Sequence, residues 1–126
     1  MESDTQRHYA KIEPYKRKLG LVLNGEVIAQ TNNALILKEV GNSVYNPVFY
    51  FPKEDVKMAL LDAETERSST CPIKGVASYW NLKSGKTDSY FAWSYEEPLA
   101  QSKKIAGYLA FNLDYLTLVS EPIDSQ

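Results

Sequence analysis

The dipeptide Asn24-Gly25 separates two runs of equal length, Lys18 to Leu23 and Glu26 to Thr31. Both central residues of a type I′ turn take positive φ, and Asn-Gly adopts that conformation with little strain. The pattern predicts a β-hairpin. A lone two-stranded hairpin is marginal in water, so it must add strands or pack on another sheet.

The rest of the chain supplies those strands between closely spaced turn signals. Asn32-Asn33 makes the next turn, Ala34 to Val40 the next strand, and Gly41-Asn42 closes it. Val48 to Phe51 reads as a strand with Pro47 at its entry, where a missing N–H is tolerated. Pro52-Lys53-Glu54-Asp55-Val56 carries a helix-start signal, predicting one or two helical turns and then an extended segment. Asp62 to Thr70 reads as a polar loop. Gly75 to Leu82 alternates Val76, Ser78, Trp80 and Leu82 against Ala77, Tyr79 and Asn81. Lys83 to Lys86 then turns the chain. Thr87 to Ser94 returns with Ser89, Phe91 and Trp93 opposite Tyr90 and Ala92, a second hairpin. A helical turn near Gln101 to Ala106 and strands at Tyr108 to Phe111 and Leu116 to Val119 complete the pattern.

About eight short strands with little helix predict a mainly β fold. The expected form is two packed antiparallel sheets, β-tent-like or a sandwich, with one or two short helical turns. Residues 1–17 read as an N-terminal extension, 18–120 as a single β-domain and 121–126 as a polar tail. Residues 1 to about 15 are expected to pack loosely, for want of apolar periodicity.

Composition narrows the function classes. The 126 residues carry a net charge of -2, without the basic excess of a nucleic-acid binder or a polybasic membrane anchor. The longest aliphatic or aromatic runs, such as Val48 to Phe51, fall far short of the roughly 20 residues of a membrane span. The acidic, polar start has no secretory character, so a cytoplasmic protein is expected. One cysteine and one histidine complete neither an internal disulfide nor a Cys/His zinc site. The expected protein is free of metal and cofactor, and a monomer or weak homodimer.

Cys71 and Lys74 are the first candidates for chemistry. A thiol near an ammonium can become reactive, and Lys74 can hold an anion. Pro72 fixes φ and Gly75 permits a sharp change of direction. Together they would set the thiol and an exposed ammonium at the mouth of a cleft between two sheets. The plainer reading makes Cys71 a small buried hydrophobe. His8, the one histidine, falls in the extension, so no Cys-His dyad is expected. Asp55 and Glu96 read either as general acids or bases, or as a helix cap and a lysine partner. Trp80 and Trp93 read as core. Tyr79, Tyr95 and Tyr108 read equally well as cleft-lining or as core residues.

Four segments stand in a recognisable order: Tyr50-Phe51-Pro52-Lys53-Glu54-Asp55-Val56, Thr70-Cys71-Pro72-Ile73-Lys74-Gly75, Ala92-Trp93-Ser94-Tyr95-Glu96-Glu97-Pro98 and Ile105-Ala106-Gly107-Tyr108-Leu109-Ala110-Phe111. Together they resemble the domain-of-unknown-function family numbered 427, over roughly residues 18 to 120. Ile73 departs from that pattern, where an aromatic residue is common. The resemblance implies a mainly β fold similar to the tent of two antiparallel sheets found in several zinc-bearing domains. Those relatives bind zinc through cysteine pairs; no C-x-x-C is present here.

Members of the family carry the label of nucleotidyltransferases, which the residues do not support. Asp62, Glu64 and Glu66 are spaced two apart but fall in the expected loop, and Gly85-Lys86-Thr87 lacks the earlier glycines of a phosphate cradle. Two function classes remain. The first is a binding cleft for a small anionic or carbonyl-containing molecule, lined by Asp55, Cys71, Lys74, Tyr79, Trp93, Tyr95, Glu96 and Tyr108. Any catalysis there would fall to Cys71, Lys74 or Glu96. The second is a non-catalytic interaction module using a sheet face or edge.

Overall fold

The computed structural model describes residues 8–85 and 90–123. Ten strands form two antiparallel sheets. In chain order they are β1 (Tyr9–Pro14), β2 (Lys18–Leu23), β3 (Glu26–Thr31), β4 (Leu35–Val40), β5 (Val48–Pro52), β6 (Leu61–Cys71), β7 (Gly75–Leu82), β8 (Ala92–Ser94), β9 (Tyr108–Phe111) and β10 (Thr117–Glu121). The larger sheet runs β1-β4-β5-β9-β8-β7-β6 and the smaller β10-β2-β3. Strand takes 57% and helix 11% of the described residues, the helix entirely as short 3₁₀ turns. Among these residues no helix is long and apolar enough to cross a membrane.

The β2–β3 hairpin turns at Asn24 (φ 50) and Gly25 (φ 84), the two positive values its turn requires. Strand β10 pairs with the free edge of β2 and completes the small sheet. Leu19, Leu21, Ile28 and Ala29 from this sheet bury against Phe51, Phe91, Ala92, Leu109 and Phe111 of the large one. Alternation along the large-sheet strands sends their neighbours to the opposite face. There Ile12, Leu37, Tyr50, Ala77, Tyr95, Ile105 and Ala110 form a second buried cluster. The 3₁₀ segment Ala100–Ile105 packs beside β1 at the margin of this face.

Three sequence expectations are corrected. Residues 9–14 pack as β1, antiparallel to β4 from Tyr9↔Val40 to Pro14↔Leu35. Their alternation is short, with Ala10 and Ile12 inward, and polar outward residues obscure it. Residues 62–70 are strand rather than loop. β6 is an edge strand paired with β7, and an exposed edge favours the polar, charged residues that gave the segment its loop-like composition. Phe91 joins the core beneath the small sheet with Ala92, not the face of Trp93, because regular strand begins only at Ala92. Of the second hairpin, β7 and β8 pair antiparallel as expected. Its turn and return at residues 86–89, like residues 124–126 of the tail, lie outside the described residues.

Candidate functional site

The second face of the large sheet gathers most of the side chains expected to form a site. Tyr79 on β7 stands opposite Trp93 on β8, and Trp93 opposite Ala110 on β9. The β5–β9 register, Phe51↔Leu109, carried one residue further sets Tyr50 opposite Ala110. One row therefore reads Tyr50, Ala110, Trp93, Tyr79, with the small residue between the first two rings. Tyr95 is buried, and Cys71, Tyr79, Trp93 and Tyr108 are half-buried around the same cluster. Tyr90 packs between Tyr79 and Trp93, with ring centroids at 5.3 Å from each. The Tyr79 hydroxyl lies 2.7 Å from Ser69 Oγ.

Lys74 closes one end of this face. The turn Pro72-Ile73-Lys74 joins β6 to β7, and Gly75 ends it at φ 104, a conformation a side chain would strain. Two bonds from outside the hairpin clamp the turn. Ser102 Oγ donates to the Ile73 carbonyl at 2.8 Å, and the Leu99 N–H donates to the Lys74 carbonyl at 3.0 Å. Ile73 itself is buried. The clamped turn directs the Lys74 side chain inward, 5.6 Å from the centre of the Tyr95 ring. Its Nζ donates to Glu39 Oε1 at 2.9 Å, and both side chains are nearly buried, at 11% and 16% exposure. Lys74 is therefore not the exposed ammonium expected from sequence. Burial next to a carboxylate from β4 is what local sequence could not reveal.

Glu39 also accepts from His8 Nε2 at 2.7 Å. His8 precedes β1 on the inward side, and its ring lies over Gly41, where a β-carbon would come within 3.1 Å of His8 Cδ2. Burial by itself would raise the Glu39 carboxyl. The bonds from His8 and Lys74 outweigh it and hold the group below its usual range. His8, placed by sequence in a loose extension, is thus an ordered partner of the site.

Tyr50 is the second residue that sequence reasoning passed over, although it opens one of the four recognisable segments. It is fully buried, and its hydroxyl has no hydrogen-bond partner. Burial pushes its phenol far up. The Trp93 side chain opposes this, while Glu39 and Cys71 reinforce it. Burial likewise raises Tyr95, with Tyr50 and Cys71 adding to the effect.

Asp55 and Glu96 lie elsewhere. Asp55 accepts from Thr31 Oγ1 at 2.7 Å and ties the Lys53–Asp55 turn to β3, without capping that turn. Glu96 pairs with Lys53 at 2.7 Å and accepts from Ser94 Oγ, whose oxygen also accepts from Trp80 Nε1 at 3.2 Å. These contacts lie toward Trp80, which packs beneath the small sheet. Burial would raise the Glu96 carboxyl, and the bonds from Lys53 and Ser94 lower it overall. Glu96 has the lysine partner of its plainer reading, whereas Asp55 bonds a threonine side chain in place of the expected helix cap.

A separate groove of about 590 Å³ runs along β6 past Asp62, Glu64, Arg67, Asn81 and Lys83. There Glu64 accepts from Asn81 and pairs with Arg67 at 3.6 Å. Among the described residues no three His, Cys, Asp or Glu side chains are grouped to hold a metal ion.

No curated protein matches the chain. A family model does, over residues 11–121, spanning every strand from within β1 to the end of β10 and both flanks of the Tyr50–Lys74 face. On that match the chain belongs to the family described as Domain of unknown function (DUF427).

Proposed function

We propose that this domain binds a small carbonyl-containing molecule on the face of the large sheet that carries Tyr50, Cys71, Lys74, Tyr79, Trp93, Tyr95 and Tyr108. The observation that carries the reading is the buried, unpartnered Tyr50 hydroxyl. Leaving such a group unsatisfied costs about 1–3 kcal/mol, and an orphan of this kind in a packed interior calls for a functional account. A ligand acceptor brought beside it would recover the missing bond.

The surroundings suit a carbonyl. Tyr50, the Trp93 indole and Lys74 offer donors, and the aromatic rings offer apolar walls. Glu39 offsets the charge of Lys74, so the face presents donors with little net charge. A neutral carbonyl oxygen fits this balance better than a free anion. Trp93 and Cys71, packed against the same cluster as Tyr50, are only half-buried, which makes their side the proposed way in to the hydroxyl.

A thermal-shift screen against metabolites, with nucleotides included, tests the reading. Carbonyl compounds should raise Tm by mass action, and Tyr50→Phe should blunt the response. Stabilisation by nucleoside triphosphates with Mg²⁺ alone, or equal responses in both proteins, would contradict it.

A further inference from the structure

We propose that the gap where β5 and β9 part is a binding slot for a short unbranched alkyl group, carried by the carbonyl compound of the Tyr50 face. The inference rests on the carbonyl reading for the molecule that carries the group, and on the gap itself for the group.

Every other pair of neighbouring strands in the large sheet is joined over at least three residue pairs. β5 and β9 are joined over two, Phe51↔Leu109 and Pro52↔Tyr108. Past that short ladder, toward Val48 on β5 and Phe111 on β9, lies a cavity of about 70 Å³. Side chains alternate along β5, so Val48 and Tyr50 face one way and Phe49 and Phe51 the other. The first pair belongs to the Tyr50 cluster and the second to the core beneath the small sheet. Val48, Phe49 and Phe51 all line the cavity, which therefore enters the sheet instead of lying on one face. Trp93 lines it too and packs against the Tyr50 cluster. Val48 and Trp93 are thus walls common to the cavity and to the Tyr50 face.

The chemistry of the lining selects the occupant. Pro47 and Leu113 at its rim are exposed, while Leu21, Phe51 and Phe111 are buried and form its floor. Apart from the Trp93 indole N–H, every side chain around it is apolar. Such a space gives water few partners and takes apolar guests. At roughly 30 Å³ per heavy atom, the share of a water molecule in the liquid, it holds about two or three carbons. That is room for an ethyl or propyl group and too little for a ring or a branched chain.

The test is NMR of the methyl-labelled protein, titrated with methyl ketones whose second group is methyl, ethyl, propyl, butyl or tert-butyl, and separately exposed to xenon. Affinity should rise about threefold to fourfold for each methylene as far as the propyl ketone, the scale of burying one methylene. It should level off at the butyl ketone, and the tert-butyl ketone should bind no tighter than acetone. Leu118→Phe, which fills the slot from β10, should remove the gain with chain length and keep the affinity for acetone. Xenon should shift the methyl signals of Leu21, Val48 and Leu118 and leave those of Ile12 and Leu37. The wild-type series and xenon decide the matter whether or not Leu118→Phe folds. Ketone binding that ignores chain length, or climbs on through the butyl ketone, overturns the slot and leaves the carbonyl reading standing. Xenon that leaves the three slot residues unmoved also overturns the slot. Xenon shifts there with no ketone bound would keep the slot and overturn the carbonyl reading.

Discussion

Lys74 and Glu39 meet at 2.9 Å although β4, which carries Glu39, and β7, which starts just after Lys74, are separated in the sheet by β5, β9 and β8. Four inter-strand spacings across a flat sheet would hold those strands about 19 Å apart. Two side chains of this length bridge that distance only where the sheet curls or the β6–β7 turn that carries Lys74 reaches inward over it. The ion pair therefore ties the β6–β7 turn to β4 across the face on which Tyr50, Trp93 and Tyr95 stand.

Removing the ammonium should accordingly destabilise the fold. Breaking a nearly buried pair strands the remaining charge, and Lys74→Met should lower unfolding free energy by about 2–4 kcal/mol. Urea denaturation measures this directly. A loss within about 0.5 kcal/mol, the range of ordinary surface substitutions, would show that the pair does not hold the flanks together.

The same pair sets a pH dependence. Glu39 titrates lower in the folded chain than its ordinary value of 4.5, because the bonds from His8 and Lys74 outweigh burial. The native state then binds fewer protons than the unfolded state. The contribution is complete above the unfolded value and is lost as pH falls through the lowered folded value. Glu96, lowered by Lys53 and Ser94, adds a second contribution of the same sign. Glu39→Gln should flatten part of the acid limb of stability against pH and leave the share of Glu96. An unchanged acid limb would contradict the assignment.

Gly75 offers a test of the clamped turn. Its φ of 104 disfavours any side chain, and a β-carbon there would stand 3.5 Å from the Leu99 nitrogen. Gly75→Ala should cost about 1–3 kcal/mol, the scale of a strained backbone position, read as a lower urea midpoint. Gly85, with nothing within 4 Å of its added β-carbon and no positive φ, is the control and should tolerate alanine.

How far the sequence reached follows from which signals are local. Asn24-Gly25 marks its hairpin because the turn chemistry lies in the two residues themselves. Cys71, Lys74, Tyr79, Trp93, Tyr95 and Tyr108 were legible as a group through the recognisable segments. Glu39 was not, since an acid after Leu37 on a strand looks like any solvated position until the fold brings Lys74 to it. His8 was hidden for the same reason, because its order depends on Glu39 and on the space left by Gly41. Tyr50 had a visible signal, its place beside Phe51 in the Tyr-Phe-Pro segment, but burial without a partner is a property of packing alone. Asp55 and Glu96 misled because an acid beside proline and aromatic residues reads the same whether it serves a site or a turn.

Tyr50→Phe separates stability from function. Deleting a buried hydroxyl that has no partner removes a desolvation penalty, so the free protein should be as stable as wild type or up to about 1 kcal/mol more stable. Thermal unfolding without ligand checks this. A loss above about 1 kcal/mol would mean that the hydroxyl is bonded within the fold.

Isothermal titration of wild type and Tyr50→Phe with the strongest carbonyl compound from the screen tests the central claim most directly. The account predicts affinity about tenfold weaker in Tyr50→Phe, with the free variant no less stable than wild type. Equal affinities in the two proteins would contradict it.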